Sequence, residues 1–210
     1  MDFNRYKYSS MVITDYNFTV PLDYHRKKGR EISIFAREIL NEKHEGKGLP
    51  HLIFFQGGPG YESPRPLTNS GWIQRASEEY TILLLDQRGT GLSTPVDSNS
   101  IEEISDRELA DYLTFFRADN IIRDAEYIRK NLIGDNKWSV LGQSFGGFCA
   151  MHYVSYFPDS LQKVFITGGL PPLKAHPDEI YRATFKRVIG KNELFFKMFP
   201  KAKQNMDKIA

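Results

Sequence analysis

The first part of the chain alternates between apolar and polar positions, as half-buried β-strands do. Met11–Val20 and Glu31–Leu40 both show this alternation. Pro21 ends the first segment, and Asn41–Leu49, which is polar and contains glycine, follows the second. The pattern predicts that the two segments form an antiparallel pair of strands that opens the fold.

After this pair, the pattern changes to short continuous apolar runs separated by segments of helical periodicity. Continuous runs are typical of strands that are buried on both faces of a parallel sheet. The predicted strands are His51–Phe55, Thr81–Leu85, Trp138–Leu141 and Lys163–Thr167. The predicted helices are Asn69–Ser77, Asp119–Leu132 and Phe145–Tyr156, with Asp119 as a helix cap. This alternation predicts an α/β fold with a mostly parallel, doubly wound sheet.

The pattern of apolar and polar residues changes again after the segment Gly168-Gly169-Leu170-Pro171-Pro172. Asp178–Gly190 and Asn192–Phe199 have helical periodicity and many aromatic and basic residues, and no further strand is visible. The sequence therefore predicts a domain boundary near Pro171.

Composition and charge narrow the class of protein. Hydrophobic residues make up 40% and charged residues 26%, which is ordinary for a folded soluble protein. A formal net charge of +2 is too small to favour nucleic acid or an anionic membrane as a partner. Residues 1–10 lack the apolar core of a secretory signal, and Cys149 is the only cysteine, so no internal disulfide forms. We expect a cytosolic (cytoplasmic) protein with neither nucleic-acid nor membrane partners.

A nucleophile motif lies between a predicted strand and a predicted helix. Gly142-Gln143-Ser144-Phe145-Gly146 matches G-x-S-x-G, in which a strained turn exposes the serine oxygen and small flanking residues avoid collisions. We interpret Ser144 as a catalytic nucleophile, the backbone N–H of Phe145 as a donor in an oxyanion hole, and Gly142 and Gly146 as structural support. An ordinary turn with an incidental serine is the alternative, and the strand–turn–helix context disfavours it.

Two further motifs follow buried strands. Gln56-Gly57-Gly58-Pro59-Gly60 predicts an irregular loop with free N–H groups, and Gly57 and Gly58 are both candidates for the second oxyanion donor. The loop lacks the spacing of a phosphate-binding loop. In Asp86-Gln87-Arg88-Gly89, we expect Asp86 and Arg88 to form a buried or half-buried pair that supports the site from its loops.

The motifs QGGPG, DQRGTGLS and GQSFGG occur in this order and are followed by GGLPP. Together they resemble the proline iminopeptidase (prolyl aminopeptidase) family of α/β-hydrolases, from about Met11 to Pro172. Many members carry His before the double glycine, and Gln56 is similar to the larger type of the family. The resemblance implies the α/β-hydrolase fold, Ser144 as nucleophile, and Gly57 with Phe145 as oxyanion donors. It also implies a peptide substrate with a free N-terminus, and no metal or cofactor.

The resemblance also implies that residues 1–171 form the N-terminal part of the hydrolase core and that residues 172–210 begin an incomplete helical cap. In this fold the acidic residue and the histidine of the triad follow the serine. His152 and His176 follow Ser144, but one lies within the predicted elbow helix and the other enters the cap. We therefore expect a truncated chain without the catalytic Asp and His, which associates with itself or with a missing C-terminal half.

The sequence thus predicts a serine aminopeptidase that releases N-terminal proline, or a similar residue, through an acyl-enzyme. We expect the 210-residue chain alone to be inactive. Two alternatives stay open at this point. One is a carboxylic-ester hydrolase of the same fold, and the other is a non-catalytic fragment that binds a partner.

Overall fold

The structure is a computed structural model, and it describes residues 2–26, 28–97, 105–170, 174–206 and 208. The chain divides into two compact units, Met1–Leu170 and Pro171–Ala210. Pro171 and Pro172, at the predicted boundary, lie outside the described residues.

The first unit is built on a mixed sheet of seven strands in the order β1-β2-β3-β5-β4-β6-β7, counted over the described residues. The strands are β1 (Asp2–Tyr8), β2 (Met11–Pro21), β3 (Glu31–Asn41), β4 (His51–Phe55), β5 (Thr81–Leu85), β6 (Trp138–Gln143) and β7 (Leu161–Thr167). Strands β1, β2, β3 and β5 pair antiparallel in that order. Strand β4 lies between β5 and β6, and these pairs and β6–β7 are parallel. The predicted α/β-hydrolase sheet and its antiparallel opening pair are confirmed.

Among the described residues, the first unit contains four α-helices and the second contains two. They are α1 (Gly71–Ala76), α2 (Asp106–Leu113), α3 (Ala118–Ile133), α4 (Phe145–Tyr156), α5 (Pro177–Met198) and α6 (Pro200–Met206). Short 3-10 helices cover Glu42–His44, Thr114–Phe116 and Pro158–Ser160. None of the described helices has both the length and the apolar character needed to cross a membrane.

Three helix predictions need correction. Arg117, not Asp119, is the N-cap of α3, and the Asp119 carboxylate accepts a hydrogen bond from Arg123 at 2.7 Å. Asp119 thus lies inside the first turn, where its negative charge interacts favourably with the positive end of the helix dipole. Helix α2 was not predicted, because none of its residues is buried; a capping box between Ser105 and Glu108 starts it. Helix α5 is continuous through Gly190, where a break was expected.

Apolar residues pack on both faces of the sheet. In β4, Ile53 and Phe55 belong to one cluster, and Leu52 and Phe54 belong to the other, because successive side chains of a strand point to opposite faces. Helices α3 and α4 cover the first cluster, and α1 contributes Ile73 to the second. Since β4, β5, β6 and β7 run parallel, the loops after them emerge at one edge of the sheet. The glycine motif after β4, the Asp86 motif after β5 and the Ser144 turn after β6 lie at this edge.

Candidate active site

Ser144 occupies a strained turn between β6 and α4. Its backbone has φ 53° and ψ −116°, a combination that residues with a side chain rarely adopt. The Ser144 N–H donates to the carbonyl oxygen of Thr167 in β7 at 2.9 Å, and the Gly147 N–H donates to the Ser144 carbonyl oxygen at 2.8 Å. The neighbouring strand and the first turn of α4 therefore hold the strained residue from both sides.

The glycines of the motif are required by close backbone packing. A Cβ atom on Gly142 would lie 2.2 Å from the carbonyl oxygen of Gly146, and one on Gly146 would lie 2.0 Å from that of Phe55. Both distances are far below van der Waals contact, so only glycine lets α4 start this close to β4 and β6. Gly169, in the loop after β7, is equally constrained, since its Cβ would lie 2.0 Å from the Ser144 carbonyl oxygen. This contact explains the second glycine of GGLPP, whose role the sequence analysis did not recognise.

Backbone N–H groups from two loops are candidates to bind an oxyanion. The Gly57 N–H is already engaged, because it donates to Oε1 of Gln56 at 3.1 Å. Within the described residues, the N–H groups of Gly58 and Phe145 make no hydrogen bond. Gly57 also lies against the elbow, since its Cβ would be 3.0 Å from Cβ of Ser144. The glycine loop after β4 and the serine turn after β6 are thus neighbours, and two of the three predicted donors are free.

In the part of the chain that the structure describes, no side chain hydrogen-bonds to the Ser144 hydroxyl. The ring of His152 stacks on Tyr156 with centroids 6.0 Å apart. His176 is the N-cap of α5, where Nδ1 accepts a hydrogen bond from the Asp178 N–H at 3.3 Å. Both histidines therefore have local roles in their helices. The same described residues contain no group of three or more His, Cys, Asp or Glu side chains arranged to hold a metal ion.

Comparison with known proteins decides the family. Residues 50–205 match the family described as the alpha/beta hydrolase fold. The chain belongs to the α/β-hydrolase fold family.

Relatives of this chain confirm the resemblance to proline iminopeptidases. The chain is 50% identical to a proline iminopeptidase of Aeromonas sobria over 194 residues, which cover 92% of the chain and 46% of the relative. It is 39% identical to a proline iminopeptidase of Aspergillus aculeatus over 197 residues, covering 89% of the chain and 43% of the relative. A tripeptidyl aminopeptidase of Streptomyces lividans is 26% identical over 73% of the chain and 35% of its own length. The chain spans about half the length of the proline iminopeptidases that it matches here.

Asp86 anchors two loops, but its partner differs from the expected one. Its buried carboxylate accepts hydrogen bonds from the N–H groups of Ser63 at 3.0 Å and Leu92 at 2.8 Å, and it pairs with the guanidinium of Arg65. Gly91 makes room for it, because a Cβ there would lie 2.2 Å from Oδ2 of Asp86. The expected pair between Asp86 and Arg88 is therefore wrong.

Arg88 pairs with Asp124 of α3 instead. The guanidinium donates from Nε to Oδ2 at 2.7 Å and from a terminal nitrogen to Oδ1 at 2.6 Å, and both side chains are at most 1% exposed. Arg88 also donates to the carbonyl oxygens of Leu22 and Phe115. The Tyr24 hydroxyl donates to Asp124 at 2.8 Å, and burial, then the Asp124 charge, raise the pKa of Tyr24. This network holds the loop after β5 against α3 and the end of β2.

Gln87 links two motifs that lie far apart in the sequence. Its side chain is 3% exposed and donates from Nε2 to the carbonyl oxygen of Gln56 at 2.9 Å. The loop after β5 thereby holds the start of the glycine loop after β4. The sequence analysis did not single out Gln87; the one available signal was an uncharged polar residue two positions after a buried strand.

A second buried network holds the elbow helix α4. The Trp138 indole N–H donates to the Tyr153 hydroxyl at 3.1 Å, and that hydroxyl donates to Glu126 of α3 at 3.0 Å. Arg129 donates to both Glu126 oxygens, at 2.7 and 3.0 Å. Cys149 is buried in the same helix, and burial raises the pKa of its thiol to about 12, so it has no nucleophilic character at neutral pH.

Proposed function

We propose that this chain carries the nucleophile and the oxyanion hole of a serine aminopeptidase that releases proline, or a similar residue, from the N-terminus of a peptide. The strained Ser144 turn beside the free N–H groups of Gly58 and Phe145 carries this proposal. The names of the relatives support the substrate, because two of them are proline iminopeptidases and one is a tripeptidyl aminopeptidase.

In the proposed reaction, the Ser144 hydroxyl attacks the carbonyl carbon of the first residue and a base takes its proton. The carbonyl oxygen becomes an oxyanion, which accepts hydrogen bonds from backbone N–H groups and is favoured by the N-terminus of α4. Collapse of this intermediate breaks the C–N bond, and the amine of the shortened peptide leaves with a proton. Water then hydrolyses the acyl-enzyme and releases the free amino acid.

Of the two glycine candidates, we favour Gly58 over Gly57 as the second donor. The Gly58 N–H has no partner among the described residues, whereas the Gly57 N–H would have to leave Gln56 before it could bind substrate. Gly57 instead provides the close approach between the glycine loop and Ser144. We further propose that Asp86, Arg88, Gly142 and Gly146 support the site without contacting substrate.

The proposal is tested with the chain alone and with a chimera that continues it with the C-terminal region of the Aeromonas relative. Both are assayed with a prolyl naphthylamide and with a short-chain ester. We expect the chimera to hydrolyse the prolyl amide and the chain alone not to, because the histidine and acid of the triad are expected outside these residues. In the chimera, Ser144→Ala should lower kcat by at least about 10³-fold. Ser155→Ala, on the exposed side of the same helix, is the matched control.

Each alternative has its own signature in these assays. Hydrolysis of the ester without the amide would favour the ester hydrolase. An inactive chimera that is folded and binds a second chain would favour the non-catalytic fragment. Turnover of the prolyl amide by the chain alone would contradict the expectation that its base is missing. The cytosolic location and association with itself or a C-terminal half stay predictions.

A further inference from the structure

A small apolar pocket opens beside the proposed oxyanion hole. Its volume is about 220 Å³, and it is bounded on one side by Gly60 of the glycine loop and by Phe145, which follows the serine. Leu113 and Phe116, at the end of α2 and just beyond it, form the other side together with Val96. Both loops that carry the free N–H groups thus also line this pocket.

The fold maintains this pocket by specific contacts. Gly89 has φ 85°, and a Cβ there would lie 2.9 Å from the Phe116 ring, so glycine lets that ring approach the loop after β5. The Gly89 carbonyl oxygen accepts from the Val96 N–H at 3.2 Å, which holds Val96 at the pocket. Phe145 stacks on Phe148 with ring centroids 6.3 Å apart. The walls are therefore held by packed rings and by a backbone hydrogen bond.

The polar side chains that line the pocket are already satisfied. Arg88 binds Asp124, Gln87 donates to the Gln56 carbonyl oxygen, and the Thr90 hydroxyl donates to that of Gln87 at 2.8 Å. A polar ligand group would find no unpaired partner among them, so the pocket favours an apolar group. Whole small-molecule sites have volumes of roughly 300–1,000 Å³. A pocket of 220 Å³ is therefore suited to a single side chain.

We propose that this pocket binds an apolar side chain of the peptide substrate, on a residue adjacent to the scissile bond. The inference rests on the proposed function, because it takes the substrate carbonyl to lie at the N–H groups of Gly58 and Phe145. The side chain belongs either to the N-terminal residue or to the residue after the scissile bond. Both present the same chemistry, and the experiment separates them.

Three aliphatic residues that line the pocket, Val96, Leu113 and Ile121, carry methyl groups that serve as reporters. The 210-residue chain, labelled in its methyl groups, is titrated with four dipeptide amides: Pro-Gly, Gly-Leu, Pro-Leu and Gly-Gly. We expect the three reporters to shift with Pro-Leu, and methyl groups of Ile39 in the opposite apolar cluster not to shift. A hydrophobic pocket discriminates by about 10–200-fold for small changes in an apolar group. We therefore expect Gly-Gly to bind at least about 10-fold more weakly. Binding by Pro-Gly but not by Gly-Leu assigns the pocket to the first residue, and binding by Gly-Leu but not by Pro-Gly assigns it to the second.

Leu113→Trp fills the pocket from a position that is already 42% exposed, and Leu67→Trp, at a 72% exposed position outside the pocket, is the matched control. We expect Leu113→Trp to abolish the side-chain preference and Leu67→Trp to retain it. Equal affinity for Gly-Gly and Pro-Leu, or an unchanged preference in Leu113→Trp, would overturn the pocket assignment. These readouts do not depend on turnover. The two proposals can fail separately. If the pocket passes this test but the chimera keeps full activity after Ser144→Ala, the proposed function is refuted and the pocket assignment is not.

Discussion

Replacing Asp124 with Ala tests the buried network that supports the candidate site. The substitution removes the acceptor of two hydrogen bonds from Arg88 and one from the Tyr24 hydroxyl. Arg88, whose side chain is 0% exposed, would keep its charge with only backbone carbonyl oxygens as partners. Breaking a buried ion pair by removing one partner costs about 3–5 kcal/mol. Since domains are stable by about 5–15 kcal/mol, we expect Asp124→Ala to lose a large share of the stability.

Urea unfolding followed by tryptophan fluorescence measures this loss, because Trp138 of β6 is fully buried and hydrogen-bonds to Tyr153 of the elbow helix. Glu79→Ala is the control, since it breaks the Arg75–Glu79 pair, whose side chains are 73% and 52% exposed. Exposed pairs contribute about 0–1 kcal/mol, so this variant should unfold close to the parent.

A double variant separates charge burial from packing. Arg88→Met combined with Asp124→Leu removes the uncompensated charge and keeps apolar volume, so it should recover part of the stability lost in Asp124→Ala. A loss below about 1 kcal/mol in Asp124→Ala, or a double variant less stable than the single one, would refute this account.

Three further outcomes follow from the same structure. Burial alone would raise the pKa of Glu126, but hydrogen bonds from Arg129 and Tyr153 outweigh it and hold the pKa below 4.5. The contribution of Glu126 to stability is therefore lost as pH falls through that lowered value. Between pH 7 and pH 3, urea unfolding should show a smaller loss of stability in Glu126→Gln than in the parent, and equal losses would contradict this. Cys149 should resist an aromatic disulfide reagent in the native chain and react fully in urea, because the thiol is buried and its pKa is raised to about 12; rapid native labelling would show the helix to be open. Gly146→Ala should prevent native folding, as judged by circular dichroism, because its Cβ would lie 2.0 Å from the Phe55 carbonyl oxygen. In Gly190→Ala the new Cβ meets no atom within 4 Å, so this variant should stabilise α5 by up to about 1 kcal/mol.

The sequence by itself determined the parts of this protein that depend on local patterns. Continuous apolar runs identified the inner strands, because a strand covered on both faces has no polar position. G-x-S-x-G identified the elbow, because the close approach of α4 to β6 excludes any Cβ at Gly142 and Gly146. Strand β1 and helix α2 were missed because none of their residues is buried, so neither contains a long run of apolar residues.

Only the tertiary structure decided which groups meet. Asp86 and Arg88 are near neighbours in sequence, yet they pair with Arg65 and Asp124, which other segments bring to them. In the same way, the side chain of Gln87 donates a hydrogen bond to the carbonyl oxygen of Gln56 in another loop. Charge and hydrogen-bond partners are set by distances of a few ångströms between distant segments, and no spacing along the chain encodes those distances.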